Sequence, residues 1–137
     1  MIRISLCLGM LLGGAAPALA QTGAQTTSAV QTSRMLWKQL SGWITQAASE
    51  IPESTYAFRA TPEVRSFGQL VGHVAGAQYL ICGAAMGEPP RKEDDIEKTK
   101  SSKADLVAAL KASNDYCAKA YGQTDQSAKG QTKLFGE

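Results

Sequence analysis

Hydrophobic residues recur at intervals of three and four in three segments of the chain, which is the pattern of amphipathic helices. The first segment, residues 28–50, begins with the capping-box pattern Ser28-Ala29-Val30-Gln31 and ends before Pro52. We predict that it forms a helix with one apolar face. The residues of that face are Leu36, Trp37, Leu40, Trp43, Ile44, Ala47 and Ile51.

The second segment, residues 66–86, is apolar on more than one side. It begins with another capping box, Ser66-Phe67-Gly68-Gln69, and it contains no charged residue up to Gly87. A membrane span is disfavoured because Gln69, His73, Gln78 and five glycines would face lipid. We therefore predict a helix that is buried inside a helical bundle.

A third helix is predicted over residues 102–122, where Ser102-Lys103-Ala104-Asp105 is typical of a helix start. The preceding connections lack helical periodicity. We expect residues 52–65 to be extended and to lay Tyr56 and Phe58 on the bundle. Residues 87–100 are predicted to form a polar loop with a solvated acidic run, because the spacing matches no EF-hand. No segment indicates a strand, and residues 123–137 indicate no helix, so the fold class is all-α.

Three glycines, Gly68, Gly72 and Gly76, follow one another at four-residue spacing in the second helix. This spacing places them in one row on a single face. Each glycine costs roughly 1 kcal/mol of helix stability relative to alanine, so the row indicates that something needs the space. Close approach of a neighbouring helix is the favoured interpretation, and a ligand groove beside His73 is the alternative.

Residues 1–20 have the organisation of a secretory signal peptide. Arg3 gives a positive start, an apolar stretch follows, and Ala18-Leu19-Ala20 ends with small residues at the cleavage-defining positions. The stretch is too short and too interrupted by glycine and proline for a membrane anchor. We expect a periplasmic or secreted protein with no stable membrane span after cleavage. Its flexible N-terminus would cover residues 21–27 and its helical domain residues 28–137.

Charge and cysteine content limit the classes of partner and of redox site that the protein can have. The 14 basic and 12 acidic residues are too evenly balanced for a nucleic-acid-binding protein. Loss of the signal leaves Cys82 and Cys117, and exported proteins retain disulfides. A bridge between them requires residues 87–100 to run back along the bundle before the third helix begins. No Cys-x-x-Cys motif indicates a thioredoxin-type or zinc-knuckle site.

One run of residues resembles a known family. The pattern Tyr56-x-Phe58-Arg59-x-Thr61-Pro62-Glu63-x-Arg65-Ser66-Phe67-x-x-Leu70-x-x-His73, followed by Gly87-Glu88 after an apolar helix, resembles the DinB-like (damage-inducible) family. The resemblance extends from about Val30 to the end of the chain. It implies an up-and-down four-helix bundle, of which this chain supplies three helices plus an N-terminal signal helix. We therefore expect a DinB-like domain that is C-terminally incomplete.

The resemblance also implies a divalent metal, such as zinc, nickel or iron, held by one histidine of the second helix and two of the fourth. His73 matches the first of these ligands and is the only histidine in the chain. One imidazole does not make a tight metal site, so we expect the site to be incomplete in this chain. The alternative is that His73 is a polar residue satisfied at a helix–helix contact.

No catalytic residue is assigned, because the chain has neither a Gly-x-Ser-x-Gly motif nor a phosphate-binding loop. Two hypotheses remain. In the first, the chain is an exported metal-binding protein, and the intact enzyme would be a metal-dependent hydrolase or a thiol-linked transferase acting on a small molecule. In the second, it is a noncatalytic helical module that forms a homodimer or binds a partner through its apolar helix faces.

Overall fold

The computed structural model describes residues 28–130, which form four α-helices. Helix α1 spans Ala29–Glu50, α2 spans Phe67–Ala85, α3 spans Asp95–Thr99 and α4 spans Lys103–Ala120. Residues 28–130 contain no strand, so the all-α prediction is confirmed. The predicted signal peptide, residues 1–20, and the segments 21–27 and 131–137 lie outside the described residues.

The three long helices begin where the sequence predicts, because each starts at a serine cap. Ser28 and Ser102 each accept a hydrogen bond from the backbone N–H three residues later. At the start of α2 the exchange is reciprocal: Gln69 N–H donates to Ser66 Oγ at 3.2 Å, and Ser66 N–H donates to Gln69 Oε1 at 3.0 Å. These bonds satisfy amides that have no partner within the helix.

Helix α4 lies between α1 and α2 and packs on both. It runs antiparallel to α1, since Lys103 Nζ donates to Ile51 O at 2.7 Å at one end and Arg34 Nε donates to Tyr121 O at 2.5 Å at the other. The three helices share a hydrophobic core that is made largely of small side chains. Its buried residues are Ala48, Tyr56, Val71, Ala75, Leu106, Ala109 and Leu110.

Helices α2 and α4 run parallel, so the chain between them returns along the bundle. Gly68 lies beside Leu106 near the start of both helices, and Cys82 is bonded to Cys117 near the end of both. The two cysteine Cα atoms are 5.3 Å apart. The bridge that the sequence left possible is therefore present. It forms as that reasoning required, with a connection that runs back along α2.

The returning connection, residues 87–102, is fixed at its start. Tyr116 Oη donates to Glu88 Oε2 at 2.5 Å. The Arg91 guanidinium lies 4.9 Å from the centre of the Tyr79 ring and 5.0 Å from that of Tyr116, a cation–π arrangement. Contrary to the expectation of a polar loop throughout, this connection contains the short helix α3. Packing on α2 stabilises a helix whose own periodicity is too short to detect.

The glycine row of α2 accommodates this connection. A Cβ atom at Gly72 would lie 2.8 Å from the Cα atom of Glu97, and one at Gly76 would overlap the carbonyl oxygen of Glu93. Gly68 faces the backbone of the connection that precedes α2. The packing interpretation is therefore confirmed, with the difference that the closest neighbours are the backbone of the two connections and of α3, while α4 contributes only the Leu106 side chain.

The connection from α1 to α2 is not extended throughout, because Glu53–Thr55 forms a turn of 3-10 helix. Tyr56 is buried, and its hydroxyl donates to Ala48 O. The expectation that Phe58 also covers the bundle is wrong, since its ring is exposed. The chain turns here, with Phe58 N–H donating to Thr55 O at 2.9 Å, so the two rings do not share one side as they would in an extended strand.

Within residues 28–130, no helix combines the length and the hydropathy needed to cross a bilayer. This agrees with the packing of α2, whose uncharged sequence is covered on two sides by α3 and α4.

Candidate functional site

His73 lies on the side of α2 that faces the returning connection. Its Nδ1 atom is 3.3 Å from Glu97 Oε2, and its Nε2 atom is 3.4 Å from Glu93 Oε1. The imidazole thus lies between two carboxylates that come from the same segment of chain. The side chain keeps about a quarter of its surface exposed, 26%.

Glu97 links this histidine to the start of α2. Arg65 Nε donates to Glu97 Oε2 at 2.8 Å, and the hydrogen bond to Glu97 raises the pKa of Arg65 further above its ordinary value. The Glu97 side chain is only 10% exposed, whereas that of Glu93 is 37% exposed. Glu97 is therefore better shielded from solvent than Glu93, and it contacts both Arg65 and His73.

The donor set around His73 does not fit a divalent metal. Zinc sites in proteins take three or four nitrogen, sulfur or oxygen ligands in fixed geometry. In the described part of the chain, no three side chains among histidine, cysteine, aspartate and glutamate are placed to hold a metal ion together. The assignment of His73 as a metal ligand therefore stays a prediction that these residues do not by themselves support.

The cysteines supply no additional ligand or nucleophile. Cys82 and Cys117 are both buried and bonded to each other, so neither presents a thiolate. Ser113 is fully buried, and its hydroxyl donates to Leu110 O at 2.8 Å. Thiol-based catalysis would require the disulfide to be reduced first.

Sequence reasoning identified His73 but missed its two carboxylate neighbours, Glu93 and Glu97, and the contact of Arg65 with Glu97. A signal was present in their spacing. Glu93 and Glu97 are four residues apart, as are the glycines that they face, Gly72 and Gly76. Two acidic residues with the same four-residue spacing as the glycines of an uncharged helix indicate that the two segments pack together. This packing places the one histidine of α2 between the two carboxylates.

A second feature is a set of large apolar side chains that the described residues leave uncovered. On α1 they are Leu36, Leu40, Trp43 and Ile44, which we call the α1 face, with Trp43 59% exposed. On α2 the exposed residues Leu70 and Ile81 continue a stripe that includes the part-buried Val74, and we call this the α2 face. Both helices pack on α4, while α1 and α2 have little contact with each other.

One comparison with known proteins identifies a family for this chain. The family model described as DinB superfamily matches residues 37–135. No match was found among curated proteins or among solved structures. The matched range runs from the middle of α1 through α4 and includes His73 and both members of the disulfide, and it covers well over half of the chain. The chain therefore belongs to the DinB superfamily.

Proposed function

We propose that this DinB-like domain is a noncatalytic helical module that self-associates through the α1 and α2 faces. The observation that carries the proposal is the α1 face, where four large apolar side chains occupy one side of a helix and remain at least one third exposed. Contiguous apolar patches of this kind on soluble domains mark interaction sites. A helix with an uncovered apolar face gains free energy by burying it against another helix.

The spacing of these residues suits helix–helix packing. On α1 they recur as Leu36, Leu40 and Trp43, at steps of four and three. On α2 the stripe Leu70, Val74 and Ile81 follows steps of four and seven. Side chains at such spacings form a row that can insert between the side chains of a facing helix. A partner that presents helices is therefore favoured over one that presents a strand or a loop.

A second copy of the chain is the partner that the charges favour. Helix α2 carries no charged residue, and Lys38 is the only charged residue of α1 between Leu36 and Ala47. A partner with charged groups at the contact would bury them without counter-charges, which is costly. A copy of the same chain brings the same uncharged surface, and a two-fold axis would pair each face with its equivalent or its neighbour.

Analytical ultracentrifugation over a range of protein concentrations tests this proposal. The variant Leu40→Glu/Trp43→Glu places two carboxylates on the α1 face and is expected to be a monomer. The matched control, Gln39→Glu/Gln46→Glu, adds the same charge at exposed polar positions of the same helix and should associate like the unmodified protein. The proposal fails if the unmodified protein is a monomer at all concentrations, or if both variants associate equally.

Metal binding is the other function that the family suggests, and it is typical of DinB-like proteins. The proposal does not rest on it, because His73 faces two carboxylates and has no further ligand among residues 28–130. The metal content of the purified protein, measured with and without His73→Ala, decides between the two functions. A stoichiometric metal that is lost in the variant would favour the metal-binding function.

We propose in addition that the protein acts outside the cytoplasm, in the periplasm or the medium. The signal-peptide pattern of residues 1–20 supports this location, and so does a disulfide between the two cysteines that follow it. N-terminal sequencing of protein recovered from the periplasmic fraction is expected to begin at Gln21. Recovery of a chain that still begins at Met1 in the cytoplasmic fraction would contradict this location.

A further inference from the structure

The described residues border an open cavity of about 840 Å³ at one end of the bundle. Here α1 begins while α2 and α4 end, and the loop after α4 closes one side. The volume lies within the range of about 300–1,000 Å³ that is common for small-molecule sites. The cavity is separate from His73, which lies nearer the start of α2 and is not among the lining residues.

Small apolar side chains, those of five alanines and one valine, form a large part of the lining of this cavity. They leave room because they are short, and they offer few hydrogen-bonding groups to a ligand. One wall is more rigid, since the ring of Tyr121 stacks on Trp37 with ring centres 4.7 Å apart. A narrow hydrocarbon chain fits such a lining better than a polar or branched molecule. The small residues are Ala29, Val30, Ala84, Ala85, Ala120 and Ala128.

Two basic side chains lie at this end of the bundle. Lys119 lines the cavity and forms no ion pair within residues 28–130. Arg34 lies next to the cavity, where its Nη2 atom donates to the Gln123 carbonyl at 3.2 Å. The carboxylate of Asp125, in the loop after α4, accepts a hydrogen bond from Val30 N–H at 3.2 Å. Lys119, which lines the cavity without an ion-pair partner among residues 28–130, favours a ligand with an anionic head group.

We propose that this cavity binds a medium-chain fatty acid, with the hydrocarbon chain against the alanine lining and the carboxylate at Lys119. Burying each methylene group of such a chain is favourable by about 0.8 kcal/mol, so the chain supplies most of the affinity. The ion pair with Lys119 is partly solvated and adds selectivity for an acid over an alcohol of the same length. This binding site is independent of the self-association proposed above.

Isothermal titration calorimetry with decanoate, below its micelle-forming concentration, tests the site. The substitution Ala120→Phe projects a ring into the cavity from its alanine lining and is expected to block binding of the hydrocarbon chain. Ala118→Phe makes the same change two residues earlier, at an exposed position about 200° around the helix, and should leave binding unchanged. Ala85→Phe, on a different helix of the same lining, serves as the second cavity-filling variant if Ala120→Phe does not fold.

The role of Lys119 is tested by comparing decanoate with decanol. Lys119→Gln is expected to weaken decanoate binding by about two- to fivefold and to leave decanol binding unchanged. Vesicles of phosphatidylglycerol test whether the acyl chain comes from a two-chain lipid instead. The proposal is overturned if decanoate gives no binding heat, if Ala120→Phe and Ala118→Phe bind equally, or if the protein sediments with vesicles without binding decanoate.

Discussion

The carbonyl oxygen of Glu93 occupies the space that a side chain at Gly76 would need. One turn earlier on α2, the backbone of Glu97 approaches Gly72 in the same way. These two contacts bring the returning connection onto α2 and place the carboxylates of Glu93 and Glu97 on either side of His73. The glycine row and the acidic pair thus belong to one packing arrangement.

Gly76→Ala should destabilise the protein by about 1–3 kcal/mol, because overpacking forces the backbone apart where it cannot yield cheaply. The measurement is chemical denaturation followed by circular dichroism. Gly42→Ala is the matched control, since a Cβ atom there has no neighbour within 4 Å. That control should raise the free energy of unfolding by up to about 1 kcal/mol through helix propensity. Equal stability of the two variants would contradict the close approach at Gly76.

Glu97→Gln should lower the free energy of unfolding by about 1 kcal/mol, because it removes the charge that faces both Arg65 and His73. Glu93→Gln is the comparison, with a more exposed side chain and a single contact to the histidine. It should change stability by less than about 0.5 kcal/mol. Denaturation at neutral pH in low and in high salt measures both. A larger effect of Glu93→Gln would show that Glu97 is not the main anchor.

Removing the disulfide should reduce stability by about 4 kcal/mol, given a separation of 35 residues between the bonded cysteines. The double variant Cys82→Ala/Cys117→Ala, compared with the unmodified protein in guanidinium chloride, measures this loss. A thiol assay under denaturing conditions gives an independent test. It should detect one thiol, that of Cys7, in the full chain and none in a chain cleaved after Ala20. Two additional thiols would mean that the bridge is absent.

The sequence predicts the three long helices well, because their signals are local. Serine caps and a three-to-four-residue period set the starts and lengths of α1, α2 and α4 to within one or two residues. The short helix α3 and the turn before Tyr56 depend on tertiary contacts instead. Phe58 shows the limit of such local signals. Its aromatic side chain makes it a core candidate, but a backbone turn directs it to solvent.

The candidate site is predictable only in part, for a similar reason. His73 stands out as the only histidine in an uncharged helix, so sequence alone identifies it. Its two carboxylate neighbours come from a segment 20 or more residues later, and nothing local specifies that this segment turns back along α2. Only the two cysteines make the direction of this connection testable from the sequence. In an antiparallel pair of helices, Cys82 and Cys117 would lie at different positions along the helix axes, too far apart to bond.

Tyr56 leads to a prediction for the pH dependence of stability. Its hydroxyl donates to Ala48 O, one of the last carbonyls of α1, which have no partner within the helix. Burial, with a smaller effect from nearby Glu53, raises the pKa of Tyr56 above its ordinary value of 10.0. The folded chain therefore holds this proton more tightly than the unfolded chain does.

It follows that the contribution of Tyr56 is fully present below about pH 10 and is lost as the pH rises through the raised pKa. Tyr56→Phe should lower the free energy of unfolding by about 1–2 kcal/mol at pH 8, because the buried carbonyl loses its donor. The difference between the two proteins should then shrink above pH 10. Denaturation curves for both proteins between pH 8 and pH 11 measure this convergence. A difference that stays constant over the range would mean that the Tyr56 hydroxyl titrates alike in both states, and that it does not hold the end of α1.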